Sequence, residues 1–198
     1  MMSKLQREDL WSLEEYAQRR TGFRSEVMAH KKPRQVALGD NATLYFEDAK
    51  TIRYQIQEML RIERVFEAEG IQDELDAYNP LIPDGSNFKA TFMLEYPEEN
   101  QRKEKLAKLI GIERKVWLQV EGFDPVTPIA DEDLERETED KTSSVHFLRF
   151  ELTPEMIKAA KQGAALSMGI DHPNYQASVS PLPDDTRNSL VADLAEVS

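Results

Sequence analysis

The stretch from Asp48 to Phe66, DAKTIRYQIQEMLRIERVF, restricts the fold most, because it combines the pattern of a helix with a charge on its apolar side. At about 100° per residue, its apolar side chains gather on one side of a helix. They are Ile52, Ile56, Met59, Leu60, Ile62 and Phe66. Glu63 falls within the same arc. A buried carboxylate is costly unless it is paired, protonated or bound to a metal, so we expect Glu63 to have a partner in the core.

Three environments would satisfy a buried Glu63. It could accept hydrogen bonds from a buried tyrosine or arginine, with Arg53 and Arg149 as candidates, and so fix the packing of its helix. It could act as a metal ligand or as a general base. It could also stay protonated in an apolar site. The sequence leaves these alternatives open.

Composition excludes several classes of protein. The 198 residues, 40% of them hydrophobic, are enough for one sizeable core. A formal net charge of −12 disfavours binding to nucleic acid or to anionic membranes. The absence of cysteine excludes disulfides, thiolate zinc sites and cysteine-ligated iron–sulfur clusters. No apolar run approaches the roughly 20 residues of a membrane span, so we expect a soluble, cytoplasmic protein.

Strands and helices are interspersed, and most connections are short or hairpin-like. This favours a single α+β domain over 1–198, with a largely antiparallel mixed sheet of about five to seven strands packed by several helices. The long central helix is expected at 48–66, capped by Asp48. Other helices are predicted over 8–20, 72–78, 100–110, 184–197 and from 153, and strands over 35–38, 43–47, 89–96, 115–121, 144–152 and 164–170.

Two segments differ from the rest in composition. Residues 20–35, RTGFRSEVMAHKKPRQ, have the composition of a basic connector. Residues 122–143 contain two prolines and then a run of acidic residues, which predicts a mobile surface loop within the domain.

Two histidines could take part in a site. His146 alternates with Leu148 and Phe150, so it could face the core. His172 follows a predicted strand in GIDHPNY, where Tyr175 could close over it. If His146, His172 and Glu63 converged, they would form a two-histidine, one-carboxylate site suited to iron, manganese or zinc. The ordinary alternative is a surface or capping histidine. The catalytic candidates are therefore Glu63, His172 and Tyr175.

A second candidate surface lies on the other side of the central helix. Arg53, Gln57 and Arg61 follow one line there, and arginine forks suit carboxylates and phosphates. This pattern predicts a binding face for small anions. The alternative is a solvated helix face.

The motifs of common enzymes are absent. The chain has no GxSxG, no P-loop and no GxGxxG sequence. Whether the protein is an enzyme is therefore left open.

Several blocks together resemble a known family. TLYFEDAKTIRYQIQEMLRIERVF, ELDAYNPLIPDG, ATFMLEY, VHFLRFEL and GIDHPNY resemble a bacterial family catalogued as domain of unknown function 3501. The resemblance implies no substrate and no catalytic residues. It does imply genes encoded beside a rubrerythrin-like protein and an iron–sulfur oxidoreductase, and hence a redox partner and a link to oxidative stress.

Three functional hypotheses follow. The favoured one is an accessory or interaction protein that serves the redox partner. The second is a metal-dependent enzyme or metal-binding protein that uses Glu63, His146 and His172. The third is a small-molecule anion-binding module that uses Arg53 and Arg61.

Overall fold

A computed structural model describes residues 4–197, and over this range six α-helices pack with two antiparallel sheets. The helices are α1 Leu13–Lys31, α2 Ala49–Glu63, α3 Ala68–Tyr78, α4 Glu99–Lys108, α5 Pro154–Lys161 and α6 Asp184–Val191. The strands are β1 Gln35–Ala37, β2 Ala42–Phe46, β3 Asn87–Leu94, β4 Val116–Val120, β5 Ile129–Ala130, β6 Val145–Glu151, β7 Leu166–His172 and β8 Tyr175–Val179. The predicted α+β class is confirmed.

The strands form a five-stranded sheet in the order β1-β2-β3-β6-β5 and a three-stranded sheet in the order β4-β7-β8. Every pairing within the two sheets is antiparallel. The main core contains inward-facing side chains from both sheets, among them Leu44, Phe88, Phe92, Leu118, Phe150 and Met168. β6 lies between β3 and β5, so it connects the middle of the larger sheet to the acidic loop 122–143.

The central helix begins where the sequence predicts. Asp48 Oδ1 accepts a hydrogen bond from the backbone N–H of Thr51 at 2.9 Å, and Thr51 Oγ1 accepts one from the N–H of Asp48 at 2.9 Å. These reciprocal bonds satisfy two of the donors that a helix start leaves unpaired. The helix ends at Glu63, because Arg64 adopts a left-handed conformation with φ of 54°.

The prediction that Glu63 is buried is wrong. Glu63 is exposed, as are Ile62 and Phe66, whose accessible fractions are 66% and 72%. The covered stripe of α2 consists of Ile52, Ile56 and Leu60. Glu63 lies on the exposed side of the last turn, so it needs no buried partner. Arg149 pairs instead with Glu132 and Glu151, at 2.7 and 2.5 Å.

The prediction of a basic connector over 20–35 is also wrong. α1 continues to Lys31, beyond the predicted end at residue 20. Phe23 and Val27 are one helical turn apart and both are buried, so they extend the apolar stripe that Tyr16 begins. The many charges of this segment hide the stripe in the sequence.

A buried ion pair joins the turn after α1 to the segment after α6. Arg34 Nη2 donates to Asp193 Oδ2 at 2.6 Å and Nη1 donates to Oδ1 at 3.3 Å, with both side chains almost fully enclosed. Arg34 Nε also donates to the carbonyl of Phe46 at 3.1 Å. The pair therefore holds the segment after α6 against β2 and the end of α1.

We expect Asp193→Ala to lower the free energy of unfolding by about 3 kcal/mol, because the buried Arg34 loses its closest carboxylate and keeps that of Asp48, 3.7 Å from its Nε. Glu63→Ala should change it by no more than about 0.5 kcal/mol, because Glu63 is exposed. Urea denaturation followed by circular dichroism measures both values. Equal effects of the two substitutions would contradict this account.

Asp84 makes a pH-dependent contribution to the free energy of unfolding. Burial alone would raise the pKa of Asp84, but hydrogen bonds from Asn87, Lys89 and Lys4 lower it to about 2. Since an unfolded aspartate titrates near 3.9, this stabilisation should be present above about pH 4 and be lost as the pH falls through about 2. The side chain is 48% exposed, so solvent limits the gain to about 1 kcal/mol.

The measurement is the difference in unfolding free energy between the wild type and Asp84→Asn at a series of pH values. This difference should be constant from pH 7 to about pH 5 and then shrink towards pH 3. A difference that grows on acidification would show that the sign is wrong.

Candidate functional site

His146 lies in the interior beside two carboxylates. The alternation of β6 turns it inward with Leu148 and Phe150, as predicted, and its accessible fraction is 0%. Its Nδ1 is 2.6 Å from Asp131 Oδ2, and its Nε2 is 3.8 Å from Glu113 Oε2. A buried polar ring of this kind needs partners, and it finds them in two distant parts of the chain.

Asp131 is held in place by backbone contacts to β6. Its N–H donates to the carbonyl of Phe147 at 2.8 Å, and its Oδ1 accepts from the N–H of Phe147 at 2.9 Å. Its φ of 52° lies in the left-handed region, which aspartate tolerates better than most residues. Arg136 donates to Asp131 at 3.3 Å and stacks on the Phe147 ring at 4.7 Å. The loop therefore presents Asp131 in one defined orientation.

Glu113 belongs to a short 3-10 turn before β4 and is almost fully buried. Burial raises its pKa, and a hydrogen bond with Glu137 raises it further. The pKa of Glu137 is lowered despite burial, by hydrogen bonds from Glu113, the Gly111 N–H and Arg114. Of the two carboxyl groups, Glu113 therefore holds a proton more readily than Glu137 does.

The three side chains lie close enough together to bind one cation. One ligand atom from each of Glu113, Asp131 and His146 lies within 4.8 Å of the others. The group borders a cleft of about 430 Å³ whose charged lining consists of Glu113, Asp131, Glu132, Asp133, Glu135, Glu137, Arg114 and Arg136. One imidazole nitrogen with two carboxylates suits manganese, iron(II) or zinc.

The same ring also has partners within the protein. His146 Nε2 lies 2.9 Å from both the carbonyl oxygen of Ser143 and Oγ1 of Thr142. A ring that donates from Nε2 to Ser143 and from Nδ1 to Asp131 satisfies both acceptors, and only the imidazolium form can donate from both nitrogens. A metal ion bound at Nε2 would displace the Nε2 proton and its hydrogen bond to Ser143. The hydrogen bond from Nδ1 to Asp131 would stay in place.

The residues proposed from the sequence do not converge on His146. Glu63 lies exposed at the end of α2. His172 belongs to β7, and both ring nitrogens have backbone partners: Nε2 donates to the carbonyl of Ile110 at 2.9 Å, and Nδ1 accepts from the N–H of Asn174 at 3.0 Å. Among the described residues, the ligand atoms gathered around His146 come from Glu113 and Asp131.

Tyr175 takes a position different from the one expected. Its hydroxyl donates to the carbonyl of Leu38 at 2.5 Å and accepts from the N–H of Asn41 at 3.1 Å. It thus links β8 to the turn between β1 and β2, and it does not close over His172.

The predicted anion-binding face of α2 is divided by the N-terminal segment. Gln57 is fully buried, with its Oε1 accepting from the Trp11 N–H at 2.7 Å and its Nε2 donating to the Trp11 carbonyl at 3.3 Å. Arg53 is half-buried against the Trp11 ring, whereas Arg61 is exposed. The three side chains therefore do not form one continuous surface.

Comparison with known proteins identifies relatives whose function is also open. A family model described as "Protein of unknown function (DUF3501)" matches residues 4–194. A crystal structure of a novel protein of unknown function from Burkholderia pseudomallei K96243 is 53% identical, with a TM-score of 0.93. The similarity covers 98% of this chain and 100% of that one. No curated protein matches the chain. No helix in residues 4–197 has the length and apolar character needed to cross a membrane.

Proposed function

Because the chain belongs to the DUF3501 family, which is described only as proteins of unknown function, we propose a function from its own residues: it binds a first-row divalent metal ion through His146, Glu113 and Asp131. The observation that carries this proposal is an imidazole enclosed between two carboxylates that line a cleft.

Each ligand has a distinct part in this proposal. His146 Nε2 and Glu113 Oε2 are 3.8 Å apart, a separation that two ligands of one ion can have. Asp131 either joins them or keeps its bond to Nδ1, where it would hold the ring in the tautomer and orientation that a metal needs. The acidic rim of the cleft would raise the local concentration of cations.

The site would also support chemistry. A bound divalent ion supplies Lewis acidity to a water molecule or substrate that reaches it through the cleft. The proposal therefore covers metal binding itself and a metal-dependent reaction.

Calorimetric titration of the purified, chelator-treated protein with Mn²⁺, Fe²⁺ and Zn²⁺ tests the site. We expect one ion per chain, and an affinity at least about tenfold weaker in His146→Gln and in Glu113→Gln, because the first removes the imidazole nitrogen and the second removes the carboxylate charge. Glu135→Gln is the matched control, since Glu135 borders the same cleft but is exposed and lies outside the ligand group.

Thermal melting establishes that each variant is folded before its affinity is compared. Failure of all three ions to bind the folded wild type would contradict the proposal. So would binding that is equally strong in His146→Gln and in the wild type.

The accessory-protein hypothesis remains a second candidate, supported by a different observation. Ile62 and Phe66 are large apolar side chains with accessible fractions of 66% and 72%. Arg61 and Arg64 beside them are also exposed. Exposed apolar groups next to charges are typical of interaction surfaces. The partner that fits is a protein with an apolar patch bordered by carboxylates, and the rubrerythrin-like or iron–sulfur redox partner is the candidate occupant.

Size-exclusion chromatography of the chain mixed with a purified rubrerythrin-like protein tests this surface. We expect the double variant Ile62→Ser and Phe66→Ser to keep its melting temperature and to lose co-elution, because both residues are exposed. Leu134→Ser, which alters an exposed apolar residue outside this patch, should retain it. Co-elution that survives the double substitution would reject the patch, and the absence of any complex with the wild type would reject this partner.

A further inference from the structure

Arg53 is a half-buried cation that forms no ion pair among the described residues, although the Glu26 carboxylate lies within its electrostatic reach. Among residues 4–197 its Nε atom is enclosed and has no hydrogen-bond partner. Its guanidinium carbon lies 4.1 Å from the centre of the Trp11 ring and 5.5 Å from that of Phe23. Partly buried arginines normally pair their donors, so this contact with aromatic faces alone is unusual.

The aromatic support of Arg53 is itself fixed. Gln57 binds both the N–H and the carbonyl of Trp11, as described above, and the Trp11 and Phe23 rings meet edge to face at 5.0 Å. A guanidinium that lies on an aromatic face still has its outer N–H groups directed away from the ring in its own plane. Stacking therefore orients the fork of Arg53 before any ligand arrives.

The guanidinium of Arg53 borders a notch that is lined by both positively and negatively charged side chains. The notch has a volume of about 640 Å³ and is lined by Leu5, Glu8, Asp9, Trp11, Phe23, Glu26, Ala49, Lys50 and Arg53. Lys50 and Glu26 neutralise each other in an ion pair. Glu8 has no ion pair among the described residues, and the Asp9 carboxylate accepts only from the N–H of Gln6 at 2.8 Å. Among the described residues, Arg53 and the exposed Glu8 and Asp9 therefore form no ion pair.

We propose that this notch binds a zwitterionic α-amino acid with an apolar or aromatic side chain. The carboxylate would take the fork of Arg53 in a bidentate pair, the ammonium group would face Glu8 and Asp9, and the side chain would lie against Trp11 and Phe23. A simple anion would meet two unpaired carboxylates, and a simple cation would meet Arg53. A molecule that carries both charges satisfies all three groups. This site is separate from the metal ligands.

Titration calorimetry with L-phenylalanine and two analogues tests the charge requirement. Phenylpropionate lacks the ammonium group and phenethylamine lacks the carboxylate, while both keep the ring. We expect phenylalanine to bind in the millimolar range or more tightly, and each analogue to bind at least about tenfold more weakly, because each leaves a charge of the notch unpaired.

Substitutions locate the site. Arg53→Lys keeps the charge but removes the fork, so phenylalanine should bind at least about tenfold more weakly. Arg61→Lys is the matched control on an exposed part of the same helix and should bind as the wild type does. Glu8→Gln should weaken phenylalanine without weakening phenylpropionate. If Arg53→Lys does not fold, the exposed Glu8 variant decides the question.

Three results would overturn the proposal. They are the absence of saturable phenylalanine binding at about 10 mM, equal affinity for phenylalanine and phenylpropionate in the wild type, and unchanged affinity in folded Arg53→Lys.

Discussion

The 2.6 Å contact between His146 and Asp131 governs the part of the structure around the proposed metal site. An enclosed imidazole has two polar nitrogens, and each must find a partner inside the protein. To serve Nδ1, the chain after β5 adopts a left-handed conformation at Asp131 and bonds to Phe147 with both its backbone and its side chain. The loop beyond that point carries Glu137 to Glu113. The hydrogen bonds of the buried His146 ring thus position the acidic loop 122–143.

Local patterns predicted most of the elements but only one member of this cluster. Alternation along β6 correctly predicted that His146 could face the core, and Asp48 caps the central helix as predicted. β5 has only two residues, too few to show a period. Glu113 and Asp131 are far from His146 in sequence, so no spacing motif could join them. Alternation shows that a buried histidine needs a partner, but it does not show which residue supplies it.

The error at Glu63 has a different physical origin. Helical periodicity gives the angular position of a side chain around the axis, and by that measure Glu63 does belong to the apolar arc. It does not tell how far along the axis neighbouring elements extend. The covered stripe ends with Leu60, and the helix continues for one further turn to Glu63. Ile62 and Phe66 beyond Leu60 are therefore better explained as a surface than as a core.

Arg34 and Arg53 differ in whether their donors have acceptors inside the protein. Arg34 is buried, and its donors reach Asp193 and backbone carbonyls, which compensates for its removal from water. Arg53 has lost part of its hydration to Trp11 and Phe23 without gaining an acceptor for its Nε among residues 4–197. An exposed arginine such as Arg61 must lose both water and rotamer freedom before it can hold a carboxylate. Arg53 has already lost part of its water and rotamer freedom during folding. A carboxylate should therefore bind more tightly to Arg53 than to Arg61.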